Sequence, residues 1–187
     1  MGRGATCIAF SELLTSLGID RFILAAHSYG TVVGAHLLHS PELGPQIAGM
    51  LLIDPIPLLL HMPSVAYNFV YRRPRRANEW QLWYFASRDA DVSRSLSRHF
   101  FWTESVLWKE ELEGRHVTIV LSEDDQIVDA DAVRRYLTGA VEASAVWERG
   151  ELRVLFYAGL DHATVFDSQE RLDQLVGVLE GLNGHVV

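Results

Sequence analysis

Apolar residues in this chain fall into two alternating patterns. Short continuous runs occur at residues 21–26 (RFILAA), 47–53 (IAGMLLI), 117–121 (VTIVL) and 152–157 (LRVLFY). Runs of this length without polar alternation predict strands buried on both faces, as in a parallel sheet. Between them, apolar residues recur at helical spacing. Residues 5–17 put Ile8, Leu13, Leu14 and Leu17 roughly on one face, ahead of a terminating Gly18. Residues 31–39 predict a second helix, stopped by Ser40-Pro41, and residues 130–138 a third, ending at Gly139. Residues 168–182 carry Leu172, Leu175, Val176, Leu179 and Leu182 in helical register, and Asp167 with Glu170 resembles a capping box. Apolar strands alternating with amphipathic helices predict an α/β fold, a mostly parallel sheet flanked by helices. Ligand chemistry in such sheets belongs to the carboxyl ends of the strands.

Residues 55–115 interrupt this alternation. They hold nine Lys/Arg against seven Asp/Glu, whereas the whole chain carries a net charge of −8. They also hold 11 of the chain's 19 aromatic residues. Such a shift predicts an inserted unit within a single domain spanning residues 1–187. Its aromatics, Tyr67 to Trp108, either line a pocket for a small apolar molecule or form the insert's own core. Arg72-Arg73-Pro74-Arg75-Arg76 reads either as a solvated turn or as a contact for an anionic membrane surface or acidic partner.

Whole-chain properties remove several function classes. A hydrophobic fraction of 49% with 21% charged residues is that of a folded globular protein, not a disordered one. The acidic excess excludes nucleic acid as the main partner. The lone Cys7 excludes an intrachain disulfide and a cysteine-rich metal site. No apolar run approaches the ~20 residues of a membrane span. The N-terminus lacks the charged-then-apolar pattern of a signal peptide, so the expected location is cytoplasmic.

Candidate chemistry lies where the first predicted strand ends, at Ala26-His27-Ser28-Tyr29-Gly30. This is a G-x-S-x-G elbow with alanine in the first position, set between an apolar strand and a helix. Small residues flank the serine because the turn is tight. The simpler reading is that Ser28 only caps the following helix. A nucleophilic serine needs a base, and the base needs an orienting carboxylate. The third strand is followed by the acidic loop Ser122-Glu123-Asp124-Asp125-Gln126-Ile127-Val128, and the fourth by Leu160-Asp161-His162-Ala163. The order Ser28, Asp125, His162 meets the requirement, with each residue at the same sheet edge.

With these motifs the chain resembles the α/β-hydrolase family of serine hydrolases. VLSEDDQIV is similar to the family's acid-bearing loop and puts the acid on Asp125, with Asp124 as the near alternative. LDHATVF is similar to the histidine loop and puts the base on His162. The resemblance implies a hydrolase acting on an ester or related acyl bond, of lipase or esterase type, with no cofactor and no metal. It places residues 55–115 where relatives carry a helical cap. Tyr29 would supply an oxyanion-hole N–H, and His27 would shape the elbow and the substrate side of the site. Asp54, in LLIDP, is the alternative triad acid, since some members place theirs there; otherwise it serves the Asp-Pro turn. Asp125 and His162 also admit a plainer reading as surface loop residues. His36 and His39 read as structural.

One departure is plain. Family members begin with strands ahead of the elbow helix, and those have no counterpart here, nor does the loop that gives the second oxyanion donor. The expectation is therefore an N-terminally truncated form of a longer hydrolase, or a homodimer that covers the open edge of strand 21–26. The rival class is a noncatalytic fragment or binding protein with an incomplete oxyanion hole.

Overall fold

The computed structural model describes residues 2–142 and 144–184. Every strand predicted from the apolar runs forms. They are β1 (Phe22–His27), β2 (Ile47–Ile53), β3 (His116–Ser122) and β5 (Leu152–Tyr157). A further short strand, β4 (Val146–Arg149), is the one the pattern does not predict; it pairs antiparallel to β5 at the sheet margin. Its residues VWER are exposed except for the half-buried Trp147 and form no apolar run, which is why the hydrophobic pattern misses it. The strand order is β1-β2-β3-β5-β4, with β1, β2, β3 and β5 parallel. β2 lies inside the sheet and is buried along its whole length.

The main helices are α1 (Arg3–Leu17), α2 (Tyr29–Leu38), α7 (Ala130–Thr138) and α8 (Gln169–Asn183). Strand side chains alternate between two apolar clusters. Leu24, Met50, Leu52, Val117, Ile119, Leu121, Val154 and Phe156 join Leu14 of α1, the apolar side of α2 and Val133 of α7. Leu51, Ile53, Val120 and Leu155 face Leu175 and Leu182 of α8. Period-two alternation thus gives a sheet with helices on both faces.

Two local expectations are corrected. On α1 the buried side is Cys7, Phe10 and Leu14, whereas Ile8, Leu13 and Leu17 are exposed. The helix rests against α2 along that stripe. At α8 the preceding residue is Ser168, without a side-chain cap, and Asp167 closes the 3-10 turn Thr164–Asp167 instead of forming a capping box.

The insert departs from β2 and returns to β3. Its two roots are bridged in parallel at Leu58 and Leu107, both fully buried. It carries α3 (Pro63–Ala66), which runs into a π-turn at Tyr67–Tyr71, and α4 (Ala77–Leu82), which runs into a second at Trp83–Ser87. α5 (Ala90–His99) and α6 (Trp102–Ser105) follow. Phe69, Leu82 and Phe100 pack against the main core, while Tyr71, Trp80, Tyr84 and Phe85 are exposed. No helix among the described residues is long and apolar enough to cross a membrane.

Among the described residues, β1 is the terminal strand of the sheet and pairs only with β2. Its other edge carries no strand among the described residues, and an open strand edge templates strand pairing. We therefore predict that the isolated 187-residue chain self-associates in sedimentation analysis. Ala25, exposed on β1, is the place for a disrupting charge: Ala25→Lys should shift the distribution toward monomer. A wild-type chain that sediments as a monomer at all concentrations would refute the edge argument.

Candidate active site

Ser28 ends β1 and begins α2 with φ 51° and ψ −124°, a conformation that costs a non-glycine residue about 1–3 kcal/mol. It is held by its neighbours. Its N–H donates to Ile53 O of β2 at 3.0 Å, and its carbonyl accepts from Thr31 N–H at 2.9 Å. The Thr31 hydroxyl also donates to that carbonyl and accepts from Ile56 N–H, tying the elbow to the root of the insert. A methyl at Gly30 would meet Ala26 Cβ at 3.9 Å, an ordinary contact, so this site tolerates one small side chain rather than none. The tighter approach is at Gly34, where a Cβ would lie 3.0 Å from Leu24 Cδ2. Gly34 is what lets α2 settle on β1.

His162 stands in the loop after β5, its side chain 9% exposed. Its Nε2 lies 2.8 Å from Ser28 Oγ, and its Nδ1 lies 2.8 Å from Asp125 Oδ2. Asp125 is on the loop after β3 with a side chain only 1% exposed. Its other oxygen accepts the N–H groups of Ile127 and Val128 at 2.7 and 3.0 Å. Both carboxylate oxygens are thus used, one by the backbone N–H groups and the other by the imidazole. Burial works to lower the His162 pKa, but the Asp125 hydrogen bond and the charges of Asp125, Asp54 and Asp161 outweigh it, so the pKa is raised.

The other candidates fall elsewhere. Asp124 is exposed, and only its backbone takes part, donating to Leu160 O. Asp54 is buried behind the site, where its Oδ2 accepts from Ala163 N–H at 2.9 Å; it does not hydrogen-bond the His162 ring. Burial works to raise the Asp54 pKa, but His27, the Ala163 N–H and His162 hold it below the ordinary carboxylate value. The His27 ring lies 5.1 Å from that of His162, edge-on to Phe166, with Nε2 3.6 Å from Asp54. Tyr29 opens α2, so its N–H is one of the first-turn donors that have no acceptor within the helix. Its half-exposed ring stands 6.4 Å from that of Phe100 in the insert. His36 bonds Ser105 and His39 pairs with Glu111, both fastening the insert to α2. Potential metal-ligand atoms of His27, Asp54 and His162 come within 4.8 Å of one another, but both His162 nitrogens are already engaged by Ser28 and Asp125.

Sequence reasoning missed a polar hub. Asp161 accepts from His162 N–H, Gln126 N–H, the Gln126 side-chain amide and Asn78 Nδ2, joining the histidine loop, the acid loop and the insert. Asn68 donates to Ile127 O and Arg72 to Gln126 O, so the first arginine of the basic run turns inward while Arg73, Arg75 and Arg76 are exposed. The position of Asp161 beside His162 was the only hint, since its partners lie 35 and 83 residues away.

Comparison with known proteins agrees with the fold. A bacterial membrane phospholipase A matches 98% of the chain over 64% of its own length, at 16% identity and TM-score 0.57. A meta-cleavage product hydrolase from Pseudomonas fluorescens matches 98% of the chain over 72% of its own, at 16% identity and TM-score 0.59. A carboxylesterase from Bacillus subtilis matches 95% over 66%, at 15% identity and TM-score 0.57. The chain therefore spans about two thirds of the length of these structures. No curated protein matches it by sequence. The alpha/beta hydrolase family model matches residues 3–176, nearly the whole chain and every strand and loop just described, and the protein belongs to that family.

Proposed function

We propose that this protein is a serine hydrolase that cleaves an ester or related acyl bond through an acyl-enzyme. One observation carries the reading: Ser28 and Asp125 occupy opposite nitrogens of the His162 ring, each at 2.8 Å. Ser28 Oγ attacks the acyl carbon while its proton passes to His162 Nε2. The Nδ1–H donates to Asp125, which fixes the tautomer and stabilises the imidazolium. The oxyanion gathers at the Tyr29 N–H, at the positive end of α2. His162 returns the proton to the leaving alcohol, and water then repeats the sequence on the acyl-enzyme, releasing the acid and restoring Ser28. No step in this scheme uses a metal or an organic cofactor.

In this reading residues 55–115 are a cap over the serine. The Phe100 ring near Tyr29, and the bonds from Asn68, Arg72 and Asn78 to the acid loop and Asp161, support that role. The acyl group would be apolar and lie against these rings. A noncatalytic protein of the same fold is the rival, favoured by the single oxyanion donor that can be named. A fluorophosphonate probe separates the two, because only an activated serine is labelled. Labelling at Ser28, lost in Ser28→Ala, is the expected outcome. Ester turnover in that variant should drop below roughly one part in 10³ of the parent, and higher residual activity would move the nucleophile elsewhere.

The pH profile gives a second check. His162 must be neutral to take the serine proton, and its pKa is raised above the ordinary 6.5. kcat/KM should therefore fall, as pH is lowered, with a midpoint above 6.5. A midpoint at or below that value contradicts the assignment of His162 as base.

A further inference from the structure

Asp54 is a buried carboxylate that the proposed acyl transfer leaves unused. It is 1% exposed, and its Oδ1 has no hydrogen-bond partner among the described residues. A buried carboxylate with an open oxygen is costly unless something in the fold requires it. Its surroundings indicate what that is. Asp54 has φ 45°, and Ala163, whose N–H it accepts, has φ 67°, so two strained residues meet through one charge-assisted bond. Ala163 directly follows His162. On its other side, Asp54 N–H donates to Val120 O of β3, and the preceding carbonyl, Ile53 O, accepts from Ser28 N–H. Asp54 thus sits between the serine elbow and the histidine loop, its carboxylate within 4.8 Å of a His162 ring nitrogen.

We propose that Asp54 is a positioning residue that acts through His162: its bond to Ala163 N–H sets the histidine loop, and its charge stabilises the imidazolium formed when Ser28 gives up its proton. The proposal rests on the acyl-transfer reading. Asp54 takes no proton in this step; the serine proton resides on Nε2, and Nδ1–H remains bonded to Asp125. The titratable groups around the His162 ring are Asp125 from the loop after β3, Asp161 from its own loop, His27 from β1 and Asp54 from the end of β2. Three carboxylates therefore favour the cationic ring, and Asp54 is the one that neither bonds the ring nor adjoins His162 in sequence.

Asp54→Asn retains an oxygen to accept from Ala163 N–H and removes only the charge. The expected result is a folded protein whose kcat falls about ten-fold, far less than the roughly 10⁴-fold loss for Asp125→Asn. Its kcat/KM acid limb should move to lower pH, since a nearby anion favours the protonated ring. Asp124→Asn, at an exposed side chain, should change neither. The His162 ring titration, followed by NMR in Ser28→Ala protein, should move the same way. That measurement needs no turnover, so an inactive chain would sink the hydrolase reading while leaving this test intact. Should Asp54→Asn fail to fold, Ala163→Gly in the same chain removes the strain at φ 67° and restores the loop, and the titration shift should persist. An unmoved titration overturns the proposal, as does recovery of the wild-type titration by Ala163→Gly. A loss at Asp54→Asn equal to that at Asp125→Asn makes Asp54 the triad acid and overturns it too. So does failure of both variants to fold, which would make the carboxylate purely structural.

Discussion

The site is built around backbone strain concentrated at one edge of the sheet. Among the described residues, the non-glycine residues with positive φ are Ser28, Asp54, Leu59 and Ala163, and all but Leu59 adjoin His162: Ser28 at its Nε2, Ala163 as the next residue, and Asp54 through the Ala163 N–H. At about 1–3 kcal/mol each, such conformations persist only where surrounding contacts over-determine them. Here the contacts are bonds donated by backbone N–H groups: Ser28 to Ile53 O of β2, Asp54 to Val120 O of β3, and Ala163 to the Asp54 carboxylate. Parallel pairing brings the carboxyl ends of β1, β2, β3 and β5 level, and this lets loops far apart in sequence share those bonds. Without that alignment, Ser28 and His162, 134 residues apart, would not meet.

The same alignment explains what was legible in the sequence. Continuous apolar runs announce β2 and β5 because strands buried on both faces admit little else. The loops of Ser28, Asp125 and His162 follow from position, each the first loop after such a strand, whereas the choice of Asp125 over Asp124 came from the family resemblance. What periodicity could not show was which apolar surface finds a partner. Ile8, Leu13 and Leu17 have the spacing of a buried helix face, yet α1 is covered only along Cys7, Phe10 and Leu14. Burial is a property of neighbours, and those neighbours are not encoded in the helix. β4 escaped for the opposite reason, since an exposed marginal strand needs no apolar run.

Long-range polar bonds were illegible for a further reason. Asp161 looks like any loop carboxylate, yet it carries bonds from Gln126 and Asn78 as well as His162 N–H. Its value comes from geometry created only when three segments converge. The arginine run shows the same thing. Its composition suggests one solvated cluster, but Arg72 turns inward to Gln126 O and the remaining arginines face solvent. Composition describes a segment as a unit, whereas hydrogen-bond demand divides it residue by residue.

The support of the elbow is lopsided. β1 pairs with β2 on one side only, and the Ser28 N–H bond to Ile53 O extends that same pairing past the end of the strand. Strain at Ser28 is therefore held against the stability of a two-strand ladder whose inner member is fully buried and whose outer member is partly open to solvent. Terminal strands are where local opening is least costly, and opening here would relax the serine out of its φ 51° conformation and away from His162. Any polypeptide that pairs with the free edge of β1 would raise the cost of that opening. Edge coverage and nucleophile geometry are in this way one energetic problem, even though no residue of the free edge needs to touch the substrate.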